Sequence, residues 1–583
     1  MTEIFEPVGE HDARLVAGLT GTLAPYNAAG VLEAADVHVA TRVADLADET
    51  DDQAVLATAL AVRAVRNGSV CVDLSTVAAV DPELPWPAPE AWARAVARSR
   101  LVDLGAVRVE DDLVYLDRYH RLERQVSDDL QARTAQGSPP VDEPALRASH
   151  DRMVALDRLS AQQRDAVERA VRQWTTILTG GPGTGKTSCV AHLLSLLADQ
   201  AHARGDRLSV ALSAPTGKAA ARLQEAVEHE LGTLAPADRD RVGRVEAMTL
   251  HRLLGWRPDN ATRFRHDRAN RLKFDVVVVD ESSMVELTMM ARLLEAVRPE
   301  ARLVLVGDPR QLTSVGAGAV LSDLVEGYRD RADSPVVSLT HDFRATDDIR
   351  AVAEALRAGD ADGVLAALRT PSDEVELVET ADLAAVLRLD AMRTATRVHA
   401  AAVAGDAATA VDLLDGHRLL CAHREGPYGV RHWNRQVEQW LGEETGQALH
   451  GWYVGRPLLV TSNDYALNVY NGETGVVVRR PDGQVRAYVA GAGGLHDFAP
   501  GRLEAVETMH AMTIHKAQGS QADRVTVLLP EEGSRLLTRE LFYTAVTRAK
   551  RHVRVVGTEA SVRAAVATVA QRATGLRRRI ADG

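Results

Sequence analysis

The 583-residue chain is 46% hydrophobic and 26% charged, the composition of an ordinary globular protein, and its length exceeds one compact core, so about three to five domains are expected. No stretch approaches the roughly eighteen consecutive apolar residues that span a bilayer, and the acidic N-terminus MTEIFEPVGE lacks the basic-then-apolar order of a secretory signal. These features argue against a membrane or secreted protein and lead to the expectation of a cytoplasmic one with no membrane partner. The net charge of −13 is unevenly placed: residues 1–150 hold 25 Asp and Glu against 13 Arg and no Lys, a net of −12, and the remainder is close to neutral at −1. Such asymmetry points to two jobs, an acidic part that meets protein and a neutral part free to carry basic strips for nucleic acid.

Along residues 1–125, ADVHVATRVADLAD and DDQAVLATALAVRAVRNG read as helices, so a mainly helical N-terminal domain is expected there. TAQGSPPVDEP, Thr134 to Pro144, is rich in Pro, Gly and small polar residues, and 126–158 is read as a linker. From Leu159, the short runs TTILT, LSVALSAP, FDVVVVDE and ARLVLVGD alternate with helical patterns, the signature of an α/β fold with a parallel sheet covered on both faces. Domains are expected over 159–335 and 336–583. Between about 452 and 504, strand-like runs separated by Asn-Gly, Asp-Gly and Gly-Gly turns suggest a small β-barrel inserted in the second. The isolated Cys71, Cys189 and Cys421 fit neither a disulfide framework nor a zinc site and read as buried small hydrophobes.

The chemistry gathers at the ends of the predicted strands. GGPGTGKT, Gly180, Gly181, Pro182, Gly183, Thr184, Gly185, Lys186 and Thr187, fits the phosphate-loop pattern between a strand and a helix. Its glycines let backbone N–H groups face phosphate oxygens, Lys186 meets the β- and γ-phosphates, and Thr187 ligates Mg2+. ATP and Mg2+ are the ligands this motif calls for. VVVVDESSM ends an apolar strand in Asp280, placed to hold Mg2+ through water, and Glu281, placed to deprotonate the attacking water. Only five lysines stand against 63 arginines, and four of the five, Lys186, Lys218, Lys516 and Lys550, fall inside or beside such segments.

LSAQQRDAV, GGPGTGKT, SAPTGKAAARL, TLHRLLG, VVVDESSMVEL, VGDPRQLTSVGAG, AMTIHKAQGSQ and LFYTAVTRAK occur in the order and spacing of superfamily 1 helicases. Within that group, HVATRVADLAD, LVYLDRYHRLE, RFRHDRANRLKFDVVVVDESSMVEL and GRPLLVTSNDYALNVYNGETG resemble RecD, the α subunit of the RecBCD exodeoxyribonuclease V complex. The resemblance implies two RecA-like domains closing on ATP. It implies that Gln163 reads adenine, that Gln311 senses the γ-phosphate, and that Arg344 and Arg548 reach in from the second domain as arginine fingers. Thr216, Lys218, Thr249, His251, Thr513, His515 and Gln518 match segments that touch single-stranded DNA, where hydroxyls and amides hold phosphates without reading bases. Thr and His at strand ends also cap helices, so a structural role stays open for each.

The resemblance implies that the basic stretch Arg252 to Lys273 occupies the position of the small subdomain that carries a strand-separating pin in RecD-like motors, which would set Phe264 and His266 near the duplex fork. A solvated surface loop is the alternative. RecB-type nucleases use a carboxylate two positions before a lysine, and none of the five lysines has one, so no nuclease activity is expected. The resemblance implies a 5′ to 3′ translocase acting on single-stranded DNA and duplex ends, in a heterotrimer with RecB-like and RecC-like subunits; the charge split suggests that residues 1–125 dock on the RecC-like partner. A stand-alone RecD-like helicase and a non-motor nucleotide-binding scaffold are the rival readings.

Overall fold

The computed structural model describes residues 9, 11–155, 158–257, 260–314, 316–343, 346–464, 466–491, 494–534, 536–570 and 572–583. The N-terminal unit packs helices α1 (Ala34–Ala47), α2 (Asp52–Arg66) and α3 (Pro89–Ala97) against an antiparallel sheet of β1 (Cys71–Asp73), β2 (Val107–Glu110) and β3 (Leu113–Leu116), in the order β1-β3-β2. Asp51 starts α2 by accepting the N–H of Gln53. Buried Ala54, Ala57 and Ala61 recur on one face of α2, and the larger Leu56, Leu60, Tyr26 and Trp92 complete the core. The domain is therefore helical with a small sheet.

The expected linker proves to be built into the motor. Helix α4 (Asp117–Ala135) runs unbroken through the 125/126 boundary, and α5 (Glu143–Ala155) follows it. Leu122, Val126 and Leu130 repeat at helical spacing and bury in the core of the next lobe. Arg133 of α4 donates to Thr175 Oγ1 at 2.8 Å, to Trp174 O at 2.9 Å and to Arg298 O at 3.0 Å. The composition of Thr134 to Pro144 suggested a linker, but the apolar stripe of α4 beside it outweighs that reading.

The first lobe comprises α6 (Ala161–Val171), β4 (Thr175–Gly180), α7 (Lys186–Ala203), β5 (Val210–Ala214), α8 (Gly217–Gly232), β6 (Ala247–Thr249) and α9 (Leu250–Leu254). A hairpin of β7 (Trp256–Arg257) and β8 (Asn260–Phe264) follows, then β9 (Val276–Val279), α10 (Leu287–Ala296), β10 (Arg302–Gly307), α11 (Val320–Gly327) and β11 (Val336–Leu339). Its sheet is parallel, in the order β11-β4-β10-β9-β5-β6. Because β11 pairs with β4, the lobe extends to Leu339, past the expected boundary at 335.

In the second lobe, α12 (Asp347–Ala358), β12 (Val375–Val378), α13 (Leu383–Val403), β13 (His417–Cys421) and α14 (Val430–Thr445) come first. The insertion has β14 (Pro457–Val460), β15 (Thr474–Arg479), β16 (Val485–Gly491), β17 (Gly494–Phe498) and β18 (Val506–Thr508). The lobe is completed by β19 (Ala511–Thr513), β20 (Ala522–Leu528), α15 (Arg539–Val546) and β21 (Ala549–Val556). The main sheet is parallel, β12-β21-β20-β13-β19. The inserted strands form an antiparallel sheet in the order β17-β16-β15-β14-β18 around Leu458, Val477 and Val489. Among the described residues β17 and β18 do not pair, so the hydrogen bonding is that of an open sheet rather than the closed barrel expected.

The chain then leaves the second lobe and returns to the first, which the 336–583 assignment did not foresee. Val70 N donates to Ala573 O at 2.9 Å, Ala573 N to Ser69 Oγ at 3.2 Å, and Arg572 to Gly316 O at 2.7 Å and Ser314 O at 2.5 Å. A final helix, α16 (Leu576–Asp582), lies on α11, where a Cβ at Gly327 would stand 2.8 Å from Ile580 Cβ, so glycine is what allows the approach. Beneath this tail Thr574 donates to Glu123 Oε1 at 3.1 Å. Burial, then the charge of Asp323, pushes the fully buried Glu123 up to about 8, and burial pushes Asp323 up to about 7. The folded chain thus keeps a proton on Glu123 that the unfolded chain releases above its ordinary value of 4.5, and stability falls as pH rises from there to about 8. Glu123→Gln, which mimics the protonated acid, is expected to flatten that decline and to raise the melting temperature more at pH 8 than at pH 5. Thermal melts of both proteins across the range test it.

Candidate active site

The phosphate loop follows β4, whose last residue is Gly180, and Lys186 opens α7. Gly183 and Gly185 have φ of +82° and +77°, the left-handed region that a side chain resists. A Cβ at Gly185 would also stand 2.1 Å from Gln163 Nε2. The turn aims the free N–H groups and positive end of α7 into a cleft. Lys186 Nζ lies over the loop, donating to Gly180 O at 2.7 Å and Gly181 O at 2.8 Å. That cleft, of about 860 Å³, is lined by Lys186, Thr187, Asp280, Glu281 and Gln311 of the first lobe and by Arg548 of the second.

The carboxylates enter from the end of β9. Asp280 Oδ1 accepts the N–H of Glu281 at 2.8 Å, and burial, then the adjacent Glu281 charge, pushes Asp280 up to about 6. Glu281 has φ of +50°, a conformation costly for a residue with a side chain and concentrated at functional sites. Arg548 is buried where β21 begins. Its guanidinium donates to Thr544 O at 3.1 Å, Ser520 O at 3.3 Å and Thr547 Oγ1 at 3.4 Å. Burial lowers its pKa, against the opposing charges of Glu281 and Asp308.

Gln163 has a structural role beside the one the resemblance implies. Gln163 closes a capping box, its Oε1 taking Ser160 N at 2.9 Å, and its Nε2 donates to Thr184 O at 3.1 Å. It braces the phosphate loop, and only its second amide proton and second lone pair remain for a base. Arg344 lies outside the described residues.

The residues assigned to the strand divide into caps and seam contacts. Thr216 accepts Ala219 N at 3.2 Å and caps α8; Thr249 accepts Arg252 N at 3.3 Å and caps α9; Thr513 accepts Lys516 N at 3.3 Å. The structural role left open for these threonines is thus present, and each hydroxyl keeps its own proton for a phosphate. His251 meets the Phe264 ring edge-on, with centroids 5.8 Å apart, and burial lowers its pKa. Burial, then Arg572 and Arg424, lowers that of His515. Gln518 Nε2 crosses the seam to Leu312 O at 2.6 Å.

Lys218, expected to meet phosphates, is hemmed in by the insertion. A Cβ at neighbouring Gly217 would stand 2.3 Å from Tyr470 Cβ, and Lys218 Cβ lies 3.8 Å from where a Cβ of Gly472 would be. Burial, then Arg418 and Arg222, pushes Lys218 down to about 7. The Tyr470–Gly472 turn covers the start of α8, a long-range contact that motif spacing does not encode. Phe264, expected near a duplex fork, is instead buried in the first lobe's core, since its strand position turns it inward. His266 Nδ1 is 3.1 Å from Asn270 O, and Trp256 is the exposed aromatic of that hairpin. All three cysteines are buried, and burial pushes Cys189 behind the phosphate loop up to about 12.

Sequence reasoning missed Asp308, Tyr543 and Thr544, which bond across the seam: Tyr543 Oη donates to Asp308 Oδ2 at 3.0 Å and Leu312 N to Thr544 Oγ1 at 2.9 Å. Their only signal was to lie inside GDPRQL and LFYTAVTRAK, beside residues already singled out.

Two parallel-sheet lobes, with a phosphate loop and an Asp-Glu pair on one and a buried arginine facing them from the other, define a nucleotide-driven motor of the helicase class. The AAA domain family profile matches residues 163–317, the UvrD-like helicase C-terminal domain 508–556, and the RecBCD enzyme subunit RecD N-terminal domain 28–111. The RecBCD enzyme subunit RecD of Mycolicibacterium smegmatis is 58% identical over 560 residues, 95% of this chain and 98% of the relative. That of Mycobacterium tuberculosis is 55% identical over 575 residues, 98% of each. The ATP-dependent RecD2 DNA helicase of Deinococcus radiodurans is 31% identical over 446 residues, 75% of this chain and 54% of that protein. The chain belongs to the RecD family.

Proposed function

We propose that the chain is the ATP-hydrolysing, 5′ to 3′ DNA helicase subunit of a RecBCD-type complex. In it, single-stranded DNA is drawn through the protein while a duplex end is opened for recombinational repair. The observation that carries this reading is one cleft lined from opposite lobes by the phosphate loop and Arg548. Closure assembles phosphate contacts, base and arginine, and product release lets the lobes part, so DNA held by both is moved one way. Lys186 and the loop N–H groups bind the triphosphate, Glu281 takes the proton of the attacking water, and Arg548 neutralises charge developing on the transferred group.

A triphosphate fits the residues present, because the glycine turn leaves no room for side chains and sets the Lys186 ammonium over the loop. Thr187 and Asp280 would hold Mg2+, which supplies charge neutralisation when bound. RecB-like and RecC-like subunits are the partners, and the acidic N-terminal unit, ending within α4, is the docking surface. A cytoplasmic location is in keeping with this role, and no described helix is long and apolar enough to cross a membrane. Identity of 58% to a RecD subunit, against 31% to the RecD2 protein, together with the match of residues 28–111 to the RecD N-terminal domain, favours the complex subunit over the stand-alone helicase.

Lys186→Gln is the direct test. It is expected to abolish ATP hydrolysis and strand separation while leaving co-purification with the partner subunits intact. Strand separation undiminished in that variant would remove the motor assignment.

A further inference from the structure

Tyr543 carries no part in the reading so far, yet it spans the seam. It rises from α15 of the second lobe, 3% exposed, and its Oη donates to Asp308 Oδ2 at 3.0 Å. The same oxygen accepts from Gln311 Nε2 at 3.2 Å, while Asp308 Oδ1 takes the N–H of Arg310 at 3.0 Å. A carboxylate only accepts, so the Gln311 amide must turn its NH2 toward Asp308 and its carbonyl away. That carbonyl oxygen is buried and unpartnered, in a residue that lines the cleft with Lys186, Glu281 and Arg548. Tyr543 Oη also borders the phosphate loop, 3.1 Å from where a Cβ of Gly181 would stand. Leu312, next in the chain, is held by Thr544 and Gln518 of the second lobe.

We propose that Tyr543 is a positioning residue for ATP hydrolysis: by gripping Asp308 across the seam, it fixes the face that Gln311 presents to the attacking water when the lobes are together. The inference rests on the hydrolytic reading above. An amide carbonyl cannot hold a phosphate oxygen, since both accept, but it can accept a hydrogen bond from one O–H of the water and so orient its lone pair, leaving the other O–H for Glu281 to deprotonate. Lobe position and chemistry are thereby joined through one hydroxyl, which distinguishes Tyr543 from a residue that merely fills space.

The test is steady-state ATP hydrolysis by the full chain with saturating oligothymidylate, for the wild type, Tyr543→Phe, Gln311→Ala and the double variant. Tyr543→Phe keeps the buried ring and removes the donor. Its kcat is expected to fall about tenfold with KM for ATP within about twofold, and its melting midpoint to stay within about 2 °C. The double variant should be no slower than Gln311→Ala alone, because the tyrosine acts through the glutamine. Asp308→Asn, which keeps the shape but weakens the acceptor, should reproduce the kcat loss and serves if Tyr543→Phe folds poorly. A wild-type kcat in both, a rise in KM at constant kcat, or losses that multiply in the double variant would overturn the proposal. A wild-type chain unable to hydrolyse ATP would instead strike the functional reading itself.

Discussion

Arg548→Ala is expected to lower kcat for ATP hydrolysis by roughly 10³-fold or more while nucleotide affinity changes only a few-fold. The reason is its placement. The guanidinium stands in a dehydrated position on the second lobe, 4% exposed, within the field of Glu281 and Asp308, and the phosphate loop lies on the other side of the cleft. A cation held there gains most when the transferring group accumulates charge, so its effect belongs to the transition state rather than to binding. Truncation also removes the Arg548 bond to the Ser520 carbonyl, at a cost of about 1–3 kcal/mol if it is left buried and unpaired, while Thr544 O keeps the Thr547 hydroxyl. Arg548→Lys separates the two effects: it retains a charge but not the planar fork, so it should recover part of the melting temperature and less than a tenth of the lost rate. Single-turnover hydrolysis together with binding of a fluorescent nucleotide reads both. A variant that hydrolyses ATP near the wild-type rate would place the essential cation elsewhere.

The second large effect is expected at Glu281. Glu281→Gln conserves volume and removes the base, so hydrolysis should slow by about 10² to 10⁴ while ATP still binds. With lobes held together for longer, affinity for a single strand in the presence of ATP should exceed that of the wild type under the same conditions. Its backbone supports a specialised role, because a φ of +50° is an unfavourable conformation at a position where glycine would be unstrained. Across the seam, a Cβ at Gly519 would stand 3.9 Å from Glu281 Oε1, so the second lobe approaches the base as well as the phosphate loop. Filter binding of a labelled oligonucleotide with and without ATP tests the coupling. Equal affinities in the two proteins would show that the base does not govern reopening.

Much of this architecture was legible because its causes are local. Gly180 to Thr187, Asp280 and Glu281 announce themselves through glycine turns and apolar strands, and the structure sets them at the ends of β4 and β9. What escaped notice depends on distant packing. The stripe of Leu122, Val126 and Leu130 was present in the sequence, but only the first lobe's core shows why α4 continues past residue 125. The 452–504 segment contains barrel-like turns, whereas closure depends on two edge strands meeting, which no single strand specifies. The enclosure of Lys218 by Tyr470 and the hold of Tyr543 on Asp308 join residues from different lobes, so neither shows in spacing along the chain.

The return of Ala573 to the edge of β1 has a consequence for biogenesis. The bond between Ala573 N and Ser69 Oγ joins positions 504 apart, so on the ribosome the early unit must wait, with its edge and the buried acids under it uncovered, until the second lobe has emerged. Domains that emerge first usually fold first. Here the first to emerge is the last to be sealed, and a nascent chain stalled before residue 573 would display that open seam to chaperones and proteases.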